Sequence, residues 1–250
     1  MKKNLVSIVT PCYNAGKFIG QTIDSVLAQT HTHWELIIVD DCSSDSSVEI
    51  IECYTHRDNR IKLIRQPERK DDVALSRNKA IEEACGQYIA FLDADDLWLP
   101  NKLEKQLAFM REHDLSFTYS SYQLMNESGE YLGEFLTQPQ ISYHFLLKTN
   151  CIGCLTVIYD VEKIGKIYMQ DAYKREDYAT WLHILKQIQS TQGMLESTAQ
   201  YRIYNHSVSA NKLKMAYYQW KVYRKNEHLG IFKSVYYFLN YAFYGFLKYK

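Results

Sequence analysis

The sequence predicts a doubly wound, mostly parallel α/β sheet with a C-terminal helical extension. Three observations carry that expectation. Strand-like and helix-like segments alternate four times within residues 1–113, the pattern of a sheet covered by helices. The strand-like segments are continuously apolar, as strands buried on both faces are. Polar clusters follow the first, second and fourth of them, and ligands bind at the carboxyl ends of such strands.

The elements follow in order. Leu5 to Thr10 is short, rich in β-branched residues and ended by Pro11, which reads as a buried strand. From Phe18 to Gln29, Ile19, Ile23, Val26 and Leu27 share one helical face. Glu35 to Asp40 is a second buried strand, and Ser44 to Ser47 offer caps for a helix carrying Val48, Ile50 and Ile51. Ile61 to Ile64 is a third strand. Val73 to Ala84 is a helix, with Gly86 expected as its C′ residue. Tyr88 to Leu92 is the fourth strand. Pro100 lies just inside the start of a helix running to about His113.

Beyond that point the pattern loosens. Leu115 to Met125 and Leu155 to Tyr159 read as strands, and Ser142 to Lys148 as a short helix. Asp177 to Gln189 is amphipathic through Trp181, Ile184, Leu185 and Ile188, and Tyr201 to Tyr204 is a short strand. From Lys212 onward two helices break near Gly230.

With 250 residues, 46% apolar and 23% charged, the chain is globular and needs neither disulfides nor metals to fold. Charge is unevenly spread. Residues 212–250 hold eight basic groups and one acid, Glu227, while the rest hold 21 basic and 28 acidic groups. An acidic body with a basic, aromatic tail excludes the usual nucleic-acid binder and suits an anionic membrane surface. The six cysteines include one C-x-x-C, Cys151 and Cys154, and no second pair completes a zinc site. The run from Leu5 to Thr10 is too short for a signal h-region or a membrane span. Reduced cytosolic thiols are expected.

Asp93-Ala94-Asp95 follows the fourth strand. Two carboxylates two residues apart on extended backbone point the same way and repel unless a cation lies beside them. Hard oxygen ligands suit Mg²⁺ or Mn²⁺, which take phosphate oxygens as further ligands. A solvated acidic turn, with Asp96 capping the next helix, is the bland alternative. Asp40-Asp41 ends the second strand, where a carboxylate can accept from a base or ribose hydroxyl. The first loop has neither Gly-x-Gly-x-x-Gly nor a Walker lysine, so it supports neither NAD nor P-loop chemistry. Tyr13 and Asn14 instead offer an aromatic face and an amide to a nucleobase. Arg77 could pair with Asp93 or a phosphate, or lie on the surface. Arg175-Glu176-Asp177 opens a helix, where acids are favoured by the dipole, or where Asp177 serves as a general base.

Five ordered motifs together resemble family 2 glycosyltransferases of the GT-A fold. They are Val6-Ser-Ile-Val-Thr-Pro-Cys-Tyr-Asn14, Ile37-Ile-Val-Asp-Asp-Cys-Ser-Ser-Asp45, Ser76-Arg-Asn-Lys-Ala80, Phe91-Leu-Asp-Ala-Asp-Asp-Leu-Trp98 and Glu176-Asp177. The resemblance covers about residues 4–210. Asp93 to Gln106, Asn150-Cys-Ile-Gly-Cys-Leu-Thr156 and Ser207-Val-Ser209 are closest to the bacterial enzymes of cell-surface polysaccharides, those of teichuronic acid among them.

The resemblance implies an inverting hexosyl- or N-acetylhexosaminyltransferase with a nucleotide-sugar donor, UDP before GDP or dTDP, and Mn²⁺ or Mg²⁺. The acceptor it implies is a glycan or a polyprenyl-linked glycan. Thr10, Pro11, Tyr13, Asn14, Asp40, Arg77, Asp93, Ala94 and Asp95 would bind the donor. Within that set Asp40 would meet the base, Arg77 would face the phosphates, Asp93 would touch the ribose, and Asp95 would hold the metal. Asp177 would be the base, and Trp98 and Glu176 would border the acceptor pocket. A catalytic domain is expected over 1–211, its nucleotide half at 1–113 and its acceptor half at 114–211. The helical tail at 212–250 follows, with residues 230–250 touching the inner face of the cytoplasmic membrane peripherally, or packing on the catalytic domain, or on a second copy as a homodimer.

Two departures stand out. Glu68-Arg-Lys-Asp-Asp-Val73 replaces the small, Gly-containing segment common before the Arg-Asn helix. Some members place a histidine shortly after the Tyr-Arg pair; here Tyr204 follows Tyr201-Arg202 and His206 comes later. A nucleotidyltransferase is the competing enzyme class, and the first loop lacks the glycines and basic residue it would need. A non-catalytic assembly protein is the other alternative, against which intact Asp95 and Asp177 argue.

Overall fold

The structure is a computed structural model that describes residues 1–172, 174–204 and 212–247. The first half builds β1 (Lys2–Cys12), α1 (Ile19–Leu27), β2 (Trp34–Asp40), α2 (Ser47–Thr55), β3 (Ile61–Arg65), α3 (Val73–Glu83) and β4 (Gly86–Phe91). It continues through β5 (Leu97–Trp98) and α4 (Lys102–Glu112). The second half adds β6 (Phe117–Met125), β7 (Tyr131–Phe135), β8 (Gln140–Ser142), α5 (Tyr143–Leu146), β9 (Ile158–Asp160) and α6 (Val161–Ile164). Then come α7 (Glu176–Ile188), β10 (Ser190–Arg202), α8 (Lys212–Lys221), a π-helical segment over Val222–Asn226, and α9 (Ile231–Leu247).

The strand order is β3-β2-β1-β4-β9-β6-β10-β5, with β7 on β6 and β8 on β10. β3, β2, β1 and β4 pair in parallel, as their apolar runs predict. β9 then joins β4 and β6 in antiparallel pairing, so the second half is a mixed extension of a parallel sheet. Both faces are covered, and the strands show it residue by residue. Val6, Ile8, Leu36 and Ile38 point into one core with Ile19, Ile23, Leu103 and Leu107. Val9, Ile37, Val39 and Ile89 point into the other with Ile81, Trp181 and Leu185. The alternation of side chains along a strand divides one apolar run between two cores.

Five expectations change. β1 runs through Pro11 to Cys12, and Pro100 precedes α4, which begins at Lys102 after the N-cap Asn101. Gly86 does not cap α3: that helix ends at Ala84 in extended backbone. The glycine opens β4, where an added Cβ would stand 2.6 Å from the Leu5 carbonyl and 2.8 Å from the Ser7 hydroxyl. It is there for close strand approach, a reason no helix-end rule detects. Leu155 to Tyr159 is not one strand: Cys154–Thr156 is a 3₁₀ turn and only Ile158–Asp160 pairs. Tyr201 belongs to the end of the long strand β10, and Tyr204 lies beyond it.

The tail is fastened to the body. Val222 and Tyr223 are buried in the α7-side core, with Tyr237 and Phe238 of α9 packed against it. The Tyr223 hydroxyl donates to the Leu147 carbonyl at 2.5 Å. The outward face of α9 carries Phe232, 89% exposed, with Val235, Leu239, Phe243 and Phe246 also exposed.

Candidate active site

The carboxyl ends of β1 and β4 open into a cleft of about 420 Å³. Pro11 comes from the end of β1, Tyr13 and Asn14 from the turn after it, Arg77 from α3, and Asp93, Ala94 and Asp95 from the turn after β4. The parallel register brings Val9 beside Phe91, so residues 82 apart in the chain become walls of one site.

Local bonding fixes the first wall. Asn14 sits in the left-handed region with φ 48°, which asparagine tolerates. Its Oδ1 accepts from the Ser44 N–H at 2.8 Å, and its own N–H donates to Ser43 Oγ at 2.9 Å. That ties the turn after β1 to the turn after β2. The Tyr13 ring is 40% exposed, and the Arg69 guanidinium lies 4.0 Å from its centroid. The charged segment that departs from the family pattern therefore covers the aromatic face expected to meet a base. Arg69 also pairs with Asp71.

Two expected donor residues lie behind the wall. Thr10 is fully buried, and its hydroxyl has no partner among the described residues. Asp40 is buried and accepts from the Ser43 N–H at 3.0 Å and the Ser43 hydroxyl at 2.5 Å, so it builds its own turn. Asp41 fixes the next loop, accepting from Gln66 Nε2 at 3.0 Å and the Lys70 N–H at 2.8 Å.

The acidic wall is more highly organised. Arg77 is buried, and its Nη2 donates to Asp93 Oδ1 at 2.5 Å, so of pairing and surface exposure the first holds. Tyr204 donates through its hydroxyl to Asp95 Oδ2 at 2.8 Å. Arg202 is buried; its N–H donates to Asp96 Oδ1 at 2.9 Å and its Nε to the Asp95 carbonyl at 2.8 Å. Thr22 of α1 donates to the Ala94 and Asp96 carbonyls at 3.0 and 2.9 Å. Burial first, and the neighbouring Asp93 second, push the Asp95 carboxyl above the usual range. Burial does the same, more strongly, to Asp96.

A cation beside this turn would relieve the repulsion of like charges. No group of three or more His, Cys, Asp or Glu able to hold a metal occurs among the described residues. One or two carboxylate oxygens of the protein fit a Mg²⁺ or Mn²⁺ that takes its remaining ligands from water and a diphosphate. His206 lies outside the described residues.

Asp177 and Glu176 stand in the first turn of α7. Asp177 Oδ1 accepts from the Tyr178 N–H at 2.7 Å. Burial raises its pKa, opposed by that hydrogen bond, Arg77 and Arg175, while Asp93 adds to the rise. Glu176 accepts from the Lys174 N–H at 2.8 Å and is also raised by burial. Trp98 is buried rather than on a pocket wall, and its indole N–H donates to the Leu155 carbonyl at 2.9 Å. Lys102 and Gln106 hold the Thr156 carbonyl beside it, at 3.2 and 2.7 Å.

Sequence reading missed Phe18, Arg202 and Tyr204 as parts of this site. Tyr204 carried a signal, since it closely follows the Tyr201-Arg202 pair that the sequence singles out. Arg202 carried none, because its partners come from α1, the turn after β4 and residues 126–127.

Comparison with known proteins identifies the family and the fold. The model of the family described as "Glycosyl transferase family 2" matches residues 7–150. The chain is 46% identical over 241 residues to the protein of Bacillus subtilis named as the teichuronic acid biosynthesis glycosyltransferase TuaG, covering 96% of this chain and 95% of that one. It is 39% identical over 257 residues to the UDP-Glc:alpha-D-GlcNAc-diphosphoundecaprenol beta-1,3-glucosyltransferase WfgD of Escherichia coli, covering 99% and 96%. Among solved structures, TarS 1-349 of S. aureus in complex with UDP matches with a TM-score of 0.63 at 19% identity, over 87% of this chain and 71% of that one. The mannosyltransferase PcManGT of Pyrobaculum calidifontis, in complex with GDP-Man and Mn2+, matches with a TM-score of 0.67 at 16% identity, over 90% and 64%. The fold they share is GT-A.

Proposed function

The chain belongs to glycosyl transferase family 2, and we propose that it moves a hexose or N-acetylhexosamine from a UDP-sugar to a lipid-linked glycan with inversion. The observation that carries this reading is the pair Asp93 and Asp95 at the mouth of one cleft, each carboxylate gripped by a side chain from another element. Relatives whose names pair UDP-Glc with a diphosphoundecaprenol acceptor and a beta linkage support the donor, the acceptor and the stereochemistry. The B. subtilis relative supports a role in surface-polysaccharide synthesis.

In the proposed mechanism, the Tyr13–Asn14 turn receives the base and ribose, with Pro11 lining the approach. Asp40 and Thr10 shape that turn from behind. Arg77 keeps Asp93 aimed at the donor. A Mn²⁺ or Mg²⁺ on Asp95, when bound, offsets negative charge on the departing diphosphate. Asp177 takes the proton from the acceptor hydroxyl, whose oxygen bonds to the anomeric carbon as the bond to the β-phosphate oxygen breaks. UDP leaves with that bond's electron pair. A single displacement needs one base and no covalent intermediate. The raised pKa of Asp177 suits a base better than an ordinary carboxylate would. Glu176 flanks it on the acceptor side.

Peripheral contact with the inner face of the cytoplasmic membrane belongs to the same reading. Among the described residues no helix is long and apolar enough to cross a membrane. The exposed Phe232, Leu239, Phe243 and Phe246 of α9 have the character of a segment lying in a membrane interface, and Lys233 is the helix's charged residue.

The test is a panel of sugar nucleotides read by nucleotide release, with Mn²⁺, with Mg²⁺ and in EDTA. Release from a UDP-sugar that requires the metal is expected. No release from any sugar nucleotide, with a polyprenyl diphosphate-linked acceptor supplied, would overturn it.

A further inference from the structure

We infer that Tyr204 is a positioning residue for the divalent cation, fixing the Asp95 carboxylate so that one of its oxygens is offered to the metal. The inference rests on the proposed metal role of Asp95. The two carboxylates of the Asp93-Ala94-Asp95 turn are held from two sides. Arg77 Nη2 takes Oδ1 of Asp93 at 2.5 Å, and the Tyr204 hydroxyl takes Oδ2 of Asp95 at 2.8 Å. Each grip engages one oxygen and leaves the second outside that bond.

The two grips differ in a way that matters for a cation. A guanidinium on Asp93 brings a positive charge that discourages a metal there. The phenol on Asp95 brings no charge of its own, and the nearby Arg202 guanidinium bonds the Asp95 carbonyl rather than the carboxylate, so the carboxylate is oriented without being ion-paired. Ligating carboxylates are commonly hydrogen-bonded from behind in this way, and removing the partner weakens metal binding.

Tyr204 is itself mounted rigidly. Its ring meets Phe18 edge-on, with centroids 5.8 Å apart and planes at 61°. The Arg202 guanidinium lies 4.4 Å from the same Phe18 ring. Arg202 also holds the backbone of the acidic turn through the Asp95 carbonyl and the Asp96 carboxylate. Residues 202 and 204 therefore fasten Asp95 twice, by its main chain and by its side chain, using Phe18 as a common support. Tyr204 and Asp95 both line the cleft, so the bond between them stands at the wall of the space a diphosphate and its ion would fill.

The experiment is calorimetric titration of UDP into the wild type and Tyr204→Phe, each with Mn²⁺ and in EDTA, with melting temperatures alongside. Direct Mn²⁺ titration by electron paramagnetic resonance gives a second readout. The variant removes one hydroxyl and keeps the ring on Phe18. Mn²⁺ should strengthen UDP binding to the wild type, and Tyr204→Phe should lose about ten- to a hundredfold of that gain. Its affinity in EDTA and its melting temperature should stay as in the wild type. A full metal-dependent gain in the variant would overturn the role of Tyr204 alone. An equal loss with and without metal would also overturn it, since the residue would then serve the donor pocket in general. A wild type that gains nothing from Mn²⁺ would remove the metal role of Asp95, and the inference with it.

Discussion

Replacing Asp177 by Asn separates catalysis from folding in a way the structure makes quantitative. The substitution is nearly isosteric and keeps an oxygen for the Tyr178 N–H, now 2.7 Å from Asp177 Oδ1. It removes the ability to accept a proton. Losing a general base costs about 10²–10⁴-fold in rate, or about 2.7–5.4 kcal/mol of barrier at 1.36 kcal/mol per tenfold. UDP affinity should be unchanged. The pH profile adds a second signature. Wild-type kcat/KM should rise with pH through the pKa of Asp177, which burial places above the ordinary carboxylate range, and the residual activity of the variant should lack that limb. Stability should move the other way. A carboxyl whose folded pKa is raised favours folding fully below its unfolded pKa, and that contribution is lost as pH rises through the folded value. Asn does not titrate, so at pH 7 the variant should melt at or above the wild-type temperature. That advantage should vanish below about pH 4, where the unfolded carboxyl is also protonated. The assay is transfer to a lipid-linked acceptor, with calorimetric UDP binding and melting curves from pH 4 to 8. A collapse of UDP affinity, or a lower melting temperature at pH 7, would refute the argument by making Asp177 a donor-site or structural residue.

Asp95→Asn should lower nucleotide release by orders of magnitude and EDTA should mimic it, because the offset of charge on the leaving diphosphate is worth several kcal/mol; full release in EDTA would contradict the metal role. Gly86→Ala puts a Cβ 2.6 Å from the Leu5 carbonyl oxygen and 2.9 Å from the Ser7 nitrogen, so denaturant unfolding should register a loss of about 1–3 kcal/mol, the usual cost of overpacking, and a neutral result would mean that β1 and β4 can part without cost. Full-length protein should float with anionic vesicles at low salt and release at high salt, with about 1 kcal/mol from each basic residue near the surface. Leu239→Glu with Phe243→Glu should abolish flotation without changing the melting temperature, since both side chains are 60% or more exposed; a second copy of the chain would instead be indicated by dimers that these changes dissociate. Point changes are preferable to deleting 230–250, because Tyr237 and Phe238 pack on the catalytic core.

The placement of the site in a parallel sheet has a consequence for how such a chain can vary. The donor wall depends on short turns whose polar side chains are spent on one another, as Asp40 on Ser43 and Asn14 on Ser44. The Arg69 guanidinium over Tyr13 is the part of that wall supplied by the charged 68–71 segment.

The sequence by itself determined the two-faced sheet and the turns that follow its strands. Both are local: an uninterrupted run such as Leu36 to Val39 can be buried only if both faces are covered, and Asp93-Ala94-Asp95 directly follows such a run. Motif order then made the family legible, and with it Arg77, Asp95 and Asp177 as candidates. Only the tertiary structure decided which side chains meet. It turned Asp40 inward onto Ser43, sent Trp98 into the core onto Leu155, and gave Gly86 its purpose through the closeness of Leu5 and Ser7. It brought Tyr204 to Asp95 and Arg202 to the turn beside it, across more than 100 residues. The physical reason is that pattern and propensity act over a few residues, whereas a hydrogen bond between distant segments depends on register, packing and the direction of each side chain, which exist only once the sheet has formed.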